Sequence, residues 1–466
     1  MPARLGQPTP VRWLIRLLLA SYFRGIDRFN PDRVPRAGPV LVVANHPGSL
    51  TDAFLIGAAV GRPVNFVATV SLFRSRPVAW VLGRCGVIPI NRKQDDATKM
   101  ASVAATFDRC FAVLEAGGAV GIFPEGVSYD DAQLKEIKSG AARLALALEA
   151  RHGGALALRI VPVGLTYSAK ERFRSRVLVN FGEPIRAADF LGGYDANPRP
   201  AVRALSAEIE QRIRALILDI PTLEHERIVA AVKRLYLERL RAANLIVTQP
   251  MPEDAETLVL LQAVARALRH FETNEPVRLA AFVRELDRYE GWLGRLGLSD
   301  RAVGSLARRG GRAKRAGAAA VLLLAAPVAT FGWLHHLLPS WLVGRAVERF
   351  TPADKRKSQT ATAAMLAGLI VLGIVYPAYV ALAYVWLGAW PALAYAMALP
   401  LSGLAGHYFL GALRSYGGRL RTAGVLLQGP IARRTLLTLR ARLIATIEEF
   451  RADYARVLVP GLDDVI

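Results

Sequence analysis

Cysteine is all but missing from this chain: among 466 residues there are two, Cys85 and Cys110, with neither metal-ligand spacing nor a CxxC neighbour. A disulfide framework and a zinc module are thereby excluded, and a reduced, cytoplasm-facing catalytic part fits. No Gly-x-Ser-x-Gly frame occurs, so the nucleophile elbow usual in enzymes that pass an acyl group to water is lacking. No Gly-Lys-Ser/Thr closes a glycine-rich loop, which rules out a Walker phosphate cradle. Acidic residues are in short supply, 38 against 60 Lys and Arg, and the resulting net charge of +22 points to an anionic partner. Nucleic acid is a poor candidate for that partner, because zinc-finger spacing, aromatic single-strand-binding motifs and a separate basic tail are all absent. So are internal repeats and low-complexity linkers. The apolar run 13–20 is interrupted by Arg16 and followed by no small-residue cleavage site, so it is not read as a removable signal.

What is abundant is apolar surface, with 53% hydrophobic residues. Residues 316–344 contain no Lys, Arg, Asp or Glu, and neither do residues 359–413. At roughly 20 residues per crossing, the second run holds two helices, a transmembrane hairpin over 361–412 that turns near Gly388 and Pro391. The first run is long for one span and short for two, and Pro327 and Gly332 interrupt its middle. Basic residues flank these runs: Arg312, Lys314 and Arg315 before the first, Arg345, Arg349 and Lys357 between them, Arg414, Arg419 and Arg421 after the second. Basic loops stay cytoplasmic, so all three flanks are expected on one side. That favours a re-entrant segment over 316–344, shielded by protein, ahead of three plain spans. At the other end, residues 10–25 carry Arg12 and Arg16 apart from Trp13, Leu14, Leu17, Leu18 and Phe23, as in a helix lying in the bilayer interface; the alternative is a helix packed on its own domain.

Between residues 39 and 185, short β-branched runs alternate with helical stretches. Strands are expected at 40–44, 64–69, 87–90, 119–123, 159–167 and 177–181, with helices at 98–116 and 138–151. The fold class is α/β, a mostly parallel central sheet flanked by helices, followed by an all-α region and a C-terminal membrane-embedded helical part. The divisions are 1–30 for the N-terminal helix, 31–200 for the α/β domain, 201–310 for a helical region, 311–413 for the membrane segments and 414–466 for a basic amphipathic tail.

The residues that carry chemistry sit at strand ends. Asn45-His46-Pro47-Gly48-Ser49-Leu50-Thr51-Asp52 follows the first strand. An imidazole there can serve as a general base, with Asp52 fixing its tautomer. The run 86–92 delivers Arg92 at a strand end, a planar fork of donors suited to phosphate. Gly121-Ile122-Phe123-Pro124-Glu125-Gly126-Val127-Ser128 ends another strand, and Ile160-Val161-Pro162-Val163-Gly164-Leu165-Thr166-Tyr167 suits an apolar pocket wall.

These four blocks, in this order and spacing, resemble the glycerolipid acyltransferase family that includes lysophosphatidic acid and glycerol-3-phosphate acyltransferases. The resemblance covers about residues 30–190, and the C-terminal membrane part is similar to the fungal glycerol-3-phosphate/dihydroxyacetone-phosphate branch. It implies a base at His46, its carboxylate partner at Asp52, and a phosphate contact at Arg92. Asn45, Phe123, Pro124, Glu125, Gly126, Ser128 and Lys138 are the implied substrate-binding positions, and Glu125 would hold the acceptor hydroxyl or brace the arginine. Backbone amides near Gly48 or Gly126 are expected at the oxyanion. The donor would be acyl-CoA or acyl carrier protein and the acceptor a phosphate-bearing glycerol or lysophospholipid. Anionic membrane lipids are further partners, and no cofactor, metal or nucleic acid is expected. A lysophospholipid-remodelling transferase, or a thioesterase or phospholipase using water, is the alternative. A transporter would instead show ionisable residues inside its spans, where only His335, His336 and His407 qualify.

One departure matters. Most of the family separates His and Asp by four residues, whereas five separate His46 from Asp52. In an unbroken helix such a pair lies about 120° out of register. Pro47 and Gly48 predict that His46 precedes the helix, so an irregular turn can close the pair.

Overall fold

A computed structural model describes residues 9–90, 100–128, 133–243, 251–307, 312–351 and 356–458. The chain divides into two compact units, the first comprising Met1–Asp219, Gln249–Leu258 and Ala346–Ala367, the second Ile220–Thr248, Val259–Arg345 and Gly368–Ile466.

The first unit is built on an 8-stranded sheet. Its strands are β1 (Gly25–Phe29), β2 (Val40–Ala44), β3 (Asn65–Thr69), β4 (Ile88–Ile90), β5 (Ala119–Ile122), β6 (Arg159–Tyr167), β7 (Arg176–Phe181) and β8 (Ile185–Arg186), in the order β1-β7-β6-β2-β5-β3-β4, with β8 beside β6. Pairing is parallel except where β6 meets β7 and β8. The mostly parallel sheet expected from the alternating runs is therefore present. β1 and β8 are additions that the residue pattern did not announce, β1 because charged Asp27 and Arg28 interrupt its apolar residues and β8 because it is two residues long.

Both faces are covered by helices: α1 (Thr9–Tyr22), α2 (Leu50–Ala59), α3 (Arg76–Arg84), α4 (Met100–Glu115), α5 (Gly140–Arg151) and α6 (Pro198–Leu216) all belong to this unit. The central strand β2 shows why. Every one of its residues is buried, and successive side chains point to opposite faces. Val40, Val42 and Ala44 join a core with Ile15 and Leu19 of α1 and Leu55 and Ile56 of α2. Leu41 and Val43 join another with Leu114 of α4, Leu144 and Leu148 of α5, and Leu205 and Ile209 of α6.

In α1, Ile15, Leu19 and Tyr22 repeat at helical spacing and are buried, while Trp13, Leu14 and Leu17 face outward. One side of this helix is packed on the domain and the other presents bare apolar surface. The packed face is the one expected of a helix lying on its own domain.

The remaining helices are α7 (Leu223–Ala243), α8 (Glu253–Asn274), α9 (Pro276–Leu296), α10 (Asp300–Ala307), α11 (Arg312–Phe350), α12 (Arg356–Leu387), α13 (Ala389–Gln428) and α14 (Pro430–Leu458). In the second unit, Arg440 of α14 reaches Asp300 of α10 at 2.9 Å, and the Tyr289 hydroxyl donates to the same carboxylate at 2.7 Å. Among the described residues, three helical stretches are long and apolar enough to cross a membrane, Ala320–Phe350, Ser358–Leu387 and Ala389–Gly418. The last two correspond to the hairpin expected over 361–412. The first differs from the broken, re-entrant path expected over 316–344, since the helix runs unbroken through Pro327, Gly332 and Pro339. A proline removes one backbone donor and bends a helix without having to end it where neighbouring residues hold the turn.

Candidate active site

β2, β5 and β6 lie side by side, β2 parallel to each neighbour, so their C-terminal ends open on one sheet edge. That edge receives the segments after β2 and β5 and the last residue of β6. His46 follows β2 by two residues, Glu125 follows β5 by three, and Tyr167 ends β6.

The turn from β2 to α2 is not helical at His46. α2 begins at Leu50, and Ser49 before it adopts φ 57 and ψ −135, a strained backbone for a residue with a side chain. This irregular path carries His46 back over the first turn of α2, where His46 Nδ1 lies 2.9 Å from Asp52 Oδ2. The five-residue spacing therefore closes the pair. Asp52 is fully buried and the His46 side chain is 16% exposed. The Gly48 amide donates to Asp52 Oδ2 at 2.7 Å, and the Tyr167 hydroxyl donates to Oδ1. Burial and the neighbouring carboxylate push the Tyr167 phenol well above its ordinary value, so it stays a donor. Glycine is required at 48, because a Cβ there would stand 2.6 Å from both Asp52 Oδ1 and the Tyr167 hydroxyl.

Phe123 stacks flat on the imidazole, with ring centroids 4.0 Å apart and planes at 14°. Glu125 is buried, and its two oxygens accept from the backbone amides of His46 at 2.7 Å and Lys135 at 3.2 Å. Burial raises its carboxyl above the ordinary range against the pull of those two amides. Through these two bonds Glu125 ties the loop that carries His46 to the segment that carries Lys135. Asn45 is similarly committed: its side chain donates to Leu165 O at 3.0 Å and accepts from Leu165 N at 2.7 Å. Pro124 is buried and its carbonyl accepts from the Lys138 amide at 2.9 Å. Gly126 takes φ +76, and a Cβ there would come within 2.9 Å of the Lys138 ammonium nitrogen. Lys138 is exposed and Ser128 half-buried. The amides expected at the oxyanion are both engaged elsewhere, Gly48 with Asp52 and Gly126 with Phe123 O at 3.0 Å. Arg92 lies outside the described residues, two positions beyond the end of β4.

Two residues at this edge escaped the sequence reading. Tyr167 closed the fourth block without being singled out; its signal was a hydroxyl-bearing residue at the end of an otherwise apolar strand. Thr362, in the first turns of α12, has no local signal at all. Its hydroxyl oxygen is 2.8 Å from Thr51 Oγ1, accepts from the Thr51 amide at 3.2 Å, and can donate to Gly48 O at 3.5 Å. The flagged histidine His336 is satisfied within the second unit, bonded through Nδ1 to Gly332 O and through Nε2 to the Tyr376 hydroxyl.

A sheet-edge imidazole bonded to a buried carboxylate is an arrangement that general-base chemistry on a hydroxyl or water can use. Comparison with known proteins narrows the class: residues 26–166 match the family described as Acyltransferase. Glycerol-3-phosphate O-acyltransferase 1 of Saccharomyces cerevisiae is 28% identical over 205 residues, covering 43% of this chain and 25% of that one. An uncharacterised acyltransferase of Schizosaccharomyces pombe is 22% identical over 380 residues, 63% of this chain and 54% of its own. A 1-acyl-sn-glycerol-3-phosphate acyltransferase of Streptococcus pneumoniae is 26% identical over 212 residues, 44% of this chain and 72% of its own. The chain thus spans a quarter and about half of the length of the two yeast relatives.

Proposed function

We propose that this protein is a membrane-attached O-acyltransferase that moves a fatty acyl group from a thioester carrier, acyl-CoA or acyl carrier protein, to the hydroxyl of glycerol-3-phosphate or lysophosphatidic acid. The observation that carries the reading is the 2.9 Å contact of His46 Nδ1 with a fully buried Asp52, which leaves Nε2 without a protein partner among the described residues. The relatives' names and the family match support the substrate class.

In this reading Asp52 holds the imidazole in the tautomer whose Nε2 is a base. Nε2 takes the hydroxyl proton as the acceptor oxygen attacks the thioester carbonyl. Collapse of the tetrahedral intermediate expels the carrier thiolate, and the imidazolium returns the proton to that sulfur. No acyl-enzyme forms. Tyr167 and the Gly48 amide hold Asp52 in place, Phe123 fixes the imidazole plane, and Arg92 takes the acceptor phosphate, with Lys138 the second candidate for a substrate phosphate. Attachment comes from the apolar helices and the bare face of α1, with the catalytic domain on the cytoplasmic side of the cell's inner membrane.

The test is an assay of the full chain in lipid, with each acceptor crossed against each donor. Acyl transfer to a phosphate-bearing glycerol is expected, and H46A should lower turnover by about two to four powers of ten while still binding membrane. Release of free fatty acid without an acceptor would make the protein a thioesterase. Normal transfer by H46A would remove the imidazole from the mechanism.

A further inference from the structure

The N-terminus of α2 presents an anomaly. A helix start leaves backbone amides without partners inside the helix, and a residue at the Ser49 position ordinarily satisfies one of them with its own hydroxyl. Ser49 makes no such bond, and its backbone is strained. The Thr51 amide, at the second helical position of a fully buried residue, is met instead by Thr362 Oγ1, 311 residues away in sequence. The hydrogen-bond count of that one hydroxyl closes. It accepts from the Thr51 amide and the Thr51 hydroxyl and donates to Gly48 O. It therefore joins the two ends of the strained turn, Gly48 before Ser49 and Thr51 after it. The seat is firm, because Ala361 and Met365, on either side of Thr362, are buried in the same core as Leu55 and Ile56 of α2.

The consequence reaches the chemistry. Gly48 and Asp52 border this clamp directly: the Gly48 amide and His46 Nδ1 both bond Asp52 Oδ2. We propose that Thr362 is a positioning residue for the His46–Asp52 pair, a cap supplied in trans by an apolar helix that holds the β2–α2 turn in the conformation where imidazole and carboxylate meet. The inference rests on the acyl-transfer reading above. It gives α12 a part in catalysis as well as in membrane attachment.

The experiment compares T362V and T362S with wild type, as full chains in lipid, normalised to folded protein. T362V keeps the side-chain shape and removes the hydroxyl. It should lower kcat about tenfold, the size set by loss of one buried helix cap, with donor and acceptor KM within about twofold of wild type. T362S keeps the hydroxyl and should restore kcat. Where T362V is not recovered folded, T51V breaks the hydroxyl pair from the other side and should lower kcat severalfold, again without moving KM. The proposal is overturned if T362V turns over like wild type, if T362S is as slow as T362V, or if the loss falls on acceptor KM alone. A wild type that transfers no acyl group refutes the parent reading and this inference with it; an active wild type beside an equally active T362V refutes this inference alone.

Discussion

Replacing Glu125 by Gln separates two roles that a carboxylate at this position could hold. In the structure its oxygens accept from two backbone amides, His46 at 2.7 Å and Lys135 at 3.2 Å. Glutamine can keep one of those bonds through its carbonyl, but it turns an NH2 group toward the other amide, donor facing donor. A hydrogen bond to a charged group contributes about 1.5–3 kcal/mol, and a buried donor left unpaired costs about 1–3 kcal/mol. E125Q should therefore lower unfolding free energy by about 1.5–3 kcal/mol, undiscounted because the site is only 5% exposed. The lost bond releases the loop that aims His46, and an error of about 1 Å in a reacting group costs on the order of 100-fold in rate. The expected kinetic result is a fall in kcat of about 10- to 100-fold with little change in acceptor KM. Steady-state kinetics in lipid at saturating donor, with acceptor varied, read this directly, and chemical denaturation of the same preparation reads the stability. Unchanged kcat and stability beside a tenfold rise in acceptor KM would refute the bracing argument and return Glu125 to the acceptor.

Y167F removes the hydroxyl that donates to Asp52 Oδ1 and should cost about 1.5–3 kcal/mol of stability together with a fall in kcat; a neutral result by denaturation and kinetics would mean that the bond is not made in solution. G48A places a methyl group 2.6 Å from Asp52 Oδ1 and the Tyr167 hydroxyl, so it should abolish most activity while leaving the helical signal in circular dichroism intact, and wild-type turnover would contradict the geometry of the turn. Burial holds the Glu125 carboxyl above its ordinary value of 4.5, so the folded protein binds that proton more tightly than the unfolded chain does. Its contribution favours folding most below about 4.5 and is lost as pH rises from there to the raised value. Over that window the stability of the wild type should fall with rising pH through this group, and a rise by denaturation would show that the two amides outweigh burial.

Much of this molecule was legible in its residues because the governing signals are local. An apolar run with no charge for dozens of residues can only be buried in protein or lipid, and the runs after 316 and 359 became the long apolar helices α11 to α13. The alternation and length of β-branched runs placed β2 and β6 to the residue, and parallel pairing of β2 with both neighbours gathered the expected site residues of the β2 and β5 segments at one edge. The helical break implied by Pro47 and Gly48 was likewise a matter of short-range backbone preference. What the tertiary structure alone decided is which polar group answers which. Glu125 and Asn45 read along the chain as substrate-binding positions; that their side chains also bond the backbone of His46, Lys135 and Leu165 is visible only in the fold. Tyr167 and Thr362 lie 115 and 310 positions from Asp52 and give no sign of it, yet one bonds its carboxylate and the other caps the helix that bears it. Periodicity and turn chemistry act over a few residues and can be read along the chain, whereas a buried polar group must find a partner wherever packing brings one, and that choice exists only in three dimensions.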